Sequence, residues 1–425
     1  MYQHQLTTLK NGLRLITIPM PQLESVTVMV GVGAGSRYET KAVNGLFHFI
    51  EHMAFKGTKK KPSTFDISSE LDAIGSGFNA FTDKELTGYY IKLATRHQEL
   101  AFDILSDMML NSLFKTEEIE REKQVIIEEI NMYGDTPIRQ VQEYFDRLLY
   151  GDNPMGWSTA GEKKSVKQIK RGDFISFLNQ LYFAQNMNLV IAGKFDQGET
   201  EKLASRYFEK LKKTGKKDTK EIKIEQKKPR LKVYFKKTDQ AHFCLGVPGY
   251  QYSHPDRFIL AVLSTILGGS MSSRLWIQIR ERRGLAYYVG SEPDFYTDSG
   301  YLLAREGVRL KSVDEAIKVT LDEFWKLKET PVSFKELKKA KEFLKGKMVL
   351  ALEDSFNVAS RYAAQLLLEK KIRTPEETMR LIDKVTVADV QRVAKAIFKP
   401  EKLNLALIGP YKDEDRFKKL LGGKG

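Results

Sequence analysis

The chain has one cysteine, Cys244, among its 425 residues. A single cysteine excludes an internal disulfide framework and is typical of a protein in a reducing compartment. The sequence also lacks any apolar run of the ~18–20 residues that a membrane-spanning helix needs. Its first twenty residues lack the charged, apolar and small-residue pattern of a secretory signal. We therefore predict a cytoplasmic protein that does not associate with membranes.

The composition is that of a soluble globular protein. Hydrophobic residues make up 42% of the chain and charged residues 29%, which excludes a disordered or fibrous class. A chain of this length is too long for one ordinary hydrophobic core. We therefore expect at least two domains.

The net charge of +14 is concentrated in one segment. Residues 210–232 contain 11 Lys and Arg against 3 Asp and Glu, so this segment carries +8 and the rest of the chain only +6. The segment is poor in large apolar residues, and a charge run of this kind is more often a solvated linker than a phosphate-binding patch. No aromatic interleaving or recognised nucleic-acid module accompanies it. We therefore predict no nucleic-acid partner.

An internal repeat lies on either side of this basic segment. Residues 169–195 align without gaps with residues 385–411, at an offset of 216 residues. In each copy a helix-period segment precedes a short apolar strand that ends in glycine. The matched pairs include Asp173/Asp389, Tyr182/Phe398, Asn188/Asn404, Leu189/Leu405 and Gly193/Gly409. The repeat predicts two similar domains.

The repeat and the charge run together predict the domain organisation. We expect an N-terminal domain at 1–210, a basic linker at 211–230 and a C-terminal domain at 231–425. Each domain opens with strands, followed by long helical patterns, one of which spans roughly 333–370. Because strands and helices do not alternate strictly, the pattern favours an α+β fold, with a mostly antiparallel sheet and helices in each domain.

The stretch "GLFHFIEHMAFKGT" predicts a short helix over residues 45–56, with Asn44 as its N-cap. His48 and His52 stand four residues apart and so share one helix face. Two imidazoles in this arrangement can bind one zinc ion, and the neighbouring Glu51 can take a proton from a water that the metal activates. The alternative is a purely structural role, in which the two histidines are hydrogen-bonded within the core. An acid between two of only six histidines favours the metal site.

A catalytic zinc site needs a third protein ligand, and "EIEREKQVIIEEINMY" at 118–133 supplies candidates. Glu129 lies about 20° from Glu122 around a helix axis, at the edge of an isoleucine stripe. Glu128 lies about 120° from Glu122 and faces solvent. The helix-face argument therefore leaves Glu122 and Glu129 as candidates for the third ligand and excludes Glu128. Surface ion pairing is the alternative role for acids on this helix, and we assign it to Glu118, Glu120 and Glu128.

On these motifs the chain resembles the pitrilysin-type, inverzincin zinc metallopeptidases, in particular small bacterial members similar to mitochondrial processing peptidase. The resemblance rests on "HFIEH", "EREKQVIIEE" and "IRERRGLAYYV" and covers essentially the full length. It implies one Zn²⁺ per chain held by His48, His52 and a glutamate about 76 residues past the second histidine. That spacing does not choose between Glu128 and Glu129, but a second acid seven residues before the ligand matches Glu122 and selects Glu129.

The resemblance implies further roles. Asn79 and Ala80, followed by Phe81, match an edge strand that pairs with an extended peptide; without the resemblance they form only a glycine-flanked strand. Arg280 and Tyr287 match residues that bind substrate and stabilise its developing oxyanion, although an arginine in "RERR" is more often on a solvated helix face.

Because one chain contains both the zinc motif and the Arg/Tyr element, the resemblance predicts a homodimer, with a heterodimer with a related chain as the alternative. It implies a zinc endopeptidase that cleaves short or unfolded peptides in an enclosed chamber, with Glu51 as general base and Glu122 orienting the site. The alternative from another class is a non-catalytic assembly subunit of the same fold.

Overall fold

The computed structural model describes residues 3–218 and 220–422. Within these residues the chain forms two compact units, and neither is a continuous half of the sequence. The division between them near the middle of the chain falls at residue 220, inside the basic segment. The first unit contains 3–131, 157–218, 220 and 349–374, and the second contains 132–156, 221–348 and 375–422.

The strands and helices are short to medium in length and mixed along the chain. The strands are β1 Gln5–Thr8, β2 Arg14–Pro19, β3 Ser25–Val32, β4 Gly77–Thr82, β5 Thr87–Ala94, β6 Met187–Gly193, β7 Arg230–Phe235, β8 Gln240–Pro248, β9 Ala286–Phe295, β10 Gly300–Arg309 and β11 Asn404–Gly409. The α-helices are α1 Leu46–Ala54, α2 Thr64–Asp72, α3 Gln98–Asn111, α4 Thr116–Gly134, α5 Pro137–Tyr150, α6 Lys163–Gln168, α7 Arg171–Leu181, α8 Gln197–Phe208, α9 Arg257–Gly268, α10 Val313–Glu329, α11 Phe334–Ala351, α12 Ser355–Ala364, α13 Pro375–Asp383, α14 Val387–Ile397 and α15 Asp415–Gly422.

The two units contain sheets of the same topology. The first sheet has the order β1-β2-β6-β3-β5-β4, and the second has the order β7-β11-β8-β10-β9. In each sheet one pair is parallel, β2 with β6 and β7 with β11, and the remaining neighbours are antiparallel. Apart from β1, the two orders match strand for strand. This confirms the predicted α+β fold with two duplicated, mostly antiparallel domains.

The sequence repeat has a structural cause at two of its matched pairs. Helices α7 and α14 begin and end at residues one repeat offset apart. At the start of each, Asp173 or Asp389 accepts the backbone N–H of the N-cap residue, at 2.8 and 3.0 Å. The following Asn188 and Asn404 are fully buried in strands β6 and β11. The repeated residues therefore cap one helix and hold one central strand in each unit.

The central strands of the first sheet are covered on both faces. Along β3, the alternate residues Val26, Val28 and Val30 point into the main core of this unit. On the opposite face Thr27 shares a hydrogen bond with Ser355 of α12, with 2.8 Å between the hydroxyl oxygens. Burial of both faces accounts for the continuous apolar character of these strands.

The helical pattern at 333–370 is not one helix, contrary to expectation. Helix α11 ends at Ala351, and α12 begins a few residues beyond it. Asp354 accepts the backbone N–H of Asn357 at 3.0 Å and so starts a new helix. Apolar periodicity continues on both sides of this cap, so the periodicity alone does not show that the helix ends here. Among the described residues, no helix combines the length and apolar content needed to cross a bilayer.

A buried carboxyl distinguishes the second sheet from the first. Glu306 in β10 pairs with Phe243, at the position where Ile91 in β5 pairs with Val28 in the first sheet. Its side chain is fully buried and accepts a hydrogen bond from Thr320 of α10 at 2.5 Å. Burial raises the pKa of Glu306 to about 8. The folded protein therefore retains this proton where the unfolded chain has lost it.

The proton on the Glu306 carboxyl makes the free energy of unfolding depend on pH. Because the folded pKa of Glu306 lies above its unfolded value, its neutral form stabilises the fold at low pH, and stability falls as pH rises from about 4.5 to about 8. In the wild type, this effect should lower the free energy of unfolding by a few kcal/mol over that pH range, at ~1.4 kcal/mol per pKa unit. We expect Glu306→Gln to lose this part of the pH dependence. Urea unfolding of the metal-free protein at pH 5 and pH 8 measures it, with exposed Glu329→Gln as control. The prediction would be contradicted if the free energy of unfolding fell equally between pH 5 and pH 8 in Glu306→Gln and in the wild type.

Candidate metal centre

The helix that carries the His-Glu-His motif starts one residue later than predicted. Its N-cap residue also differs from the prediction. Its N-cap is Gly45, in the left-handed region at φ 96°, and not Asn44. A Cβ on Gly45 would lie 2.7 Å from the carbonyl oxygen of Ala160, so this close approach requires glycine. Asn44 instead donates to Glu39 and to Ser158, at 2.9 and 3.0 Å.

Glu39 performs the capping from outside the helix. Its carboxylate accepts the backbone N–H groups of Gly45 and Phe47, both at 2.8 Å. Burial raises the pKa of Glu39 to about 7, although these hydrogen bonds and Asn44 oppose the shift. A carboxylate at a helix N-terminus satisfies otherwise unpaired N–H groups and complements the helix dipole. Glu39 therefore fixes the start of α1, the helix that carries His48 in its first turn.

We expect Glu39→Ala to destabilise the protein by about 1–3 kcal/mol, because three buried donors lose their acceptor. Denaturant unfolding measures the loss. Glu24, whose side chain is 86% exposed in a surface pair with Lys194, provides the control variant Glu24→Ala. A Glu39→Ala protein as stable as the control would show that Glu39 does not cap the helix.

Three donor atoms converge between α1 and α4. The Nε2 atoms of His48 and His52 each lie 3.5 Å from Oε2 of Glu129, and all three donors lie within 4.8 Å of one another. In a tetrahedral zinc site with bonds of about 2.0–2.1 Å, neighbouring donors are roughly 3.3 Å apart. Hydrogen bonds between such groups are normally shorter, about 2.7–3.2 Å. The donor set and its spacing therefore fit a zinc ion.

The electrostatics of the two histidines differ. Burial lowers the pKa of His48 to about 4, and the neighbouring His52 adds to the shift. Burial would also lower the pKa of His52, but Glu122 and Glu129 raise it to about 9. The two rings stand edge to face, with 4.6 Å between their centroids.

The glutamates of helix α4 lie on the helix faces that the periodicity predicts. Ile119 and Ile126 are buried, Glu129 is partly buried beside them, and Glu128 is exposed and accepts a hydrogen bond from Asn131 at 3.1 Å. Glu122, on the same face as Glu129, is only 5% exposed. The structure therefore brings Glu129, and not Glu128, to the histidines.

Glu122 connects His52 to a lysine. Its Oε1 lies 2.8 Å from Nδ1 of His52, and its Oε2 lies 2.6 Å from Nζ of Lys56. Burial alone would raise the pKa of Glu122, but these two hydrogen bonds lower it. Lys56 did not emerge from the sequence pattern, although His48, His52 and Lys56 recur every four residues. No comparable sequence pattern marks Glu39, because it caps α1 only where the chain between Glu39 and Gly45 turns back on itself.

Glu51 lies on α1 next to these donors. Burial raises the pKa of its carboxyl, and the charge of Glu129 adds to the shift. A carboxylate with a raised pKa holds a proton more readily, as a group that accepts and returns one requires.

Strand β4 forms an edge of the first sheet and, among the described residues, pairs only with β5. The N–H of Ala80 is held by the side chain of Asn79, at 2.9 Å. Phe81 lies over Gly88, where a Cβ atom would be 2.5 Å from the phenylalanine ring. An exposed edge of this kind can pair with an extended peptide.

Arg280 and Tyr287 contact each other within the second unit. Arg280 lies in a π-helical turn, Trp276–Glu281, and donates to the backbone oxygen of Tyr287. Its guanidinium carbon is 4.4 Å from the centroid of the Trp276 ring and 5.6 Å from that of Tyr287. The Tyr287 side chain is largely exposed at the start of the edge strand β9. The predicted pair is therefore assembled, with an aromatic group open to solvent.

Comparisons with known proteins agree with these features. Residues 14–163 match the family described as "Insulinase (Peptidase family M16)", and residues 168–344 match "Peptidase M16 inactive domain". The "Uncharacterized zinc protease YmxG" of Bacillus subtilis is 36% identical over 411 residues, which are 95% of this chain and 97% of that protein.

Two solved structures share the fold. "The crystal structure of a protease from Helicobacter pylori" superposes with a TM-score of 0.90 at 24% identity, over 96% of this chain and 100% of that one. A chain of "Complex III2 from Candida albicans" superposes with a TM-score of 0.85 at 20% identity, over 98% and 99% of the two chains. At such identities the likeness shows the fold alone. Sequence identity over nearly the whole chain confirms the resemblance, and the protein belongs to peptidase family M16.

Proposed function

We propose that this protein is a zinc-dependent endopeptidase that cleaves short or unfolded peptides. The observation that carries the proposal is the convergence of His48, His52 and Glu129, with Glu51 beside them. The zinc proteases among its relatives support the same class. One zinc ion per chain would be held by these three residues, and when bound it would supply Lewis acidity that polarises a peptide carbonyl and acidifies water.

The side chains of this protein supply the proton transfers. Glu51 accepts a proton from the attacking water, whose oxygen forms the new bond to the scissile carbonyl carbon. Glu51 then donates that proton to the amide nitrogen as the carbon–nitrogen bond breaks. Glu122 holds the Nδ1 side of His52 and so orients the ring. Arg280 and Tyr287 are proposed to stabilise negative charge on the carbonyl oxygen.

Peptide backbone recognition is assigned to the edge strand β4. Its residues Asn79, Ala80 and Phe81 would pair with an extended segment of substrate, in which case the Asn79 side chain gives up its contact with the N–H of Ala80. Recognition of backbone tolerates varied side chains. We propose in addition an enclosed chamber, a homodimer or a heterodimer with a related chain, and a cytoplasmic location.

Zinc content and peptide cleavage test the proposal together. Purified protein should contain about one zinc per chain and cleave a mixed peptide library, and a chelator should abolish cleavage until zinc is restored. Sedimentation of the same sample reports whether it is a dimer. Absence of both zinc and cleavage from gently purified protein would refute the proposal.

A structural subunit is the second candidate. The match over residues 168–344 is described as an inactive domain, and a chain of "Complex III2" shares the fold. The three proposed zinc ligands lie outside that match, in residues 14–163. Zinc-free protein that forms a stable complex with another chain would favour this alternative.

A further inference from the structure

Lys56 reaches the metal centre through one carboxylate. It lies two residues beyond the end of α1, and its Nζ lies 2.6 Å from Oε2 of Glu122. The other oxygen of the same carboxylate lies 2.8 Å from Nδ1 of His52. Glu122 is 5% exposed and Lys56 24% exposed, so little solvent competes for these contacts. The three side chains form one continuous hydrogen-bonded row.

The geometry determines which nitrogen of His52 faces Glu129. With Lys56 donating to one oxygen, the carboxylate of Glu122 is held with its other oxygen toward Nδ1. A carboxylate oxygen accepts, so Nδ1 of His52 carries the hydrogen and donates it. In the neutral ring, the form that can ligate a metal, Nε2 then keeps its lone pair toward the position that the donors surround, 3.5 Å from Glu129. Loss of Lys56 would free the carboxylate to rotate.

His48 lacks an equivalent support. Its Nδ1 is buried and has no hydrogen-bond partner within the described ranges 3–218 and 220–422. Its ring is held by packing, edge to face against His52. Of the two imidazoles, only that of His52 is therefore oriented through its second nitrogen. Hydrogen bonds to the second nitrogen normally orient metal-ligating histidines, which makes the Lys56–Glu122 row the main external support of the site.

We propose that Lys56 is a positioning residue for zinc, acting through Glu122 on His52. The inference rests on the zinc site of the proposed function. A group hydrogen-bonded directly to a metal ligand is typically worth about 10- to 100-fold in metal affinity. Lys56 acts one contact further out, through Glu122, so Lys56→Met should weaken zinc binding by about 10-fold, the lower end of that range. Lys56→Arg, which also donates to a carboxylate, should recover most of the affinity.

Zinc affinity of the purified protein, measured by competition with a chromogenic chelator, tests this inference without any activity assay. Lys59→Met is the matched control, because Lys59 is an exposed lysine in the same segment. Near-UV circular dichroism of each metal-free variant reports whether its tertiary packing is intact.

The outcomes separate the two proposals. If the wild-type protein binds no zinc, the proposed function fails. If the wild type binds zinc and Lys56→Met binds it equally well, or loses affinity no more than Lys59→Met, the positioning role is wrong while the zinc site stands. Loss of tertiary packing in Lys56→Met, or failure of Lys56→Arg to recover affinity, also counts against positioning, because Lys56 would then support the fold in general.

Discussion

Glu51→Gln should lower kcat for peptide cleavage by about 100- to 10,000-fold, the range that a positioned acid–base group contributes. Glutamine preserves the size of the side chain but can neither accept the proton of water nor return it to the leaving amine. Zinc content should stay at the wild-type level, because Glu51 is not among the three converging donors. Initial rates on a cleaved peptide, with zinc measured in the same sample, provide the test.

The control for this variant is Glu128→Gln, a change of the same chemistry at an exposed carboxylate in the same unit. It should retain both zinc and activity. Wild-type cleavage by Glu51→Gln would refute the assignment of Glu51 as the base. Loss of zinc from Glu51→Gln would show instead that this residue helps to hold the metal.

Glu129→Gln should bind zinc at least about 100-fold more weakly than the wild type, beyond the upper range for contacts that only support a ligand. The carboxylate supplies the one negative charge among the three donors, and its Oε2 is 3.5 Å from both imidazole Nε2 atoms. An amide oxygen in its place is a weaker ligand. Chelator competition measures the affinity, and peptide cleavage should be lost in proportion.

The adjacent glutamates make this test selective. Glu128→Gln changes a side chain that is one residue away, exposed, and bonded to Asn131. Zinc affinity should fall in Glu129→Gln and stay unchanged in Glu128→Gln. The reverse result would identify Glu128 as the ligand, the choice that spacing from His52 alone leaves open.

Much of the site could be predicted from local periodicity. A separation of four residues places His48 and His52 on one helix face in any α-helix. In the same way, a separation of seven places Glu122 and Glu129 together at the edge of a stripe of isoleucines. The repeat at 169–195 and 385–411 likewise predicted two similar units, since the same caps and buried strands require the same residues.

Other features could not be read from such patterns. The cap of α1 comes from Glu39, which reaches Gly45 and Phe47 only because the intervening chain turns back on itself. A sequence reading expects the adjacent Asn44 to perform this role, because caps are normally local. The contact between Lys56 and Glu122 was also missed, since a sequence does not show which lysines lie beside a buried carboxylate.

The sequence alone therefore determined the faces of the helices, the candidate donors and the duplication, because helix and strand geometry is set by short-range spacing. Only the tertiary structure decided that α1 and α4, far apart in the sequence, bring Nε2 of each histidine to 3.5 Å from Glu129. It also decided that Lys56 supports Glu122, and that residues 349–374 belong to the first unit. These outcomes depend on how distant segments pack together, and packing is a property of the whole fold rather than of any local pattern.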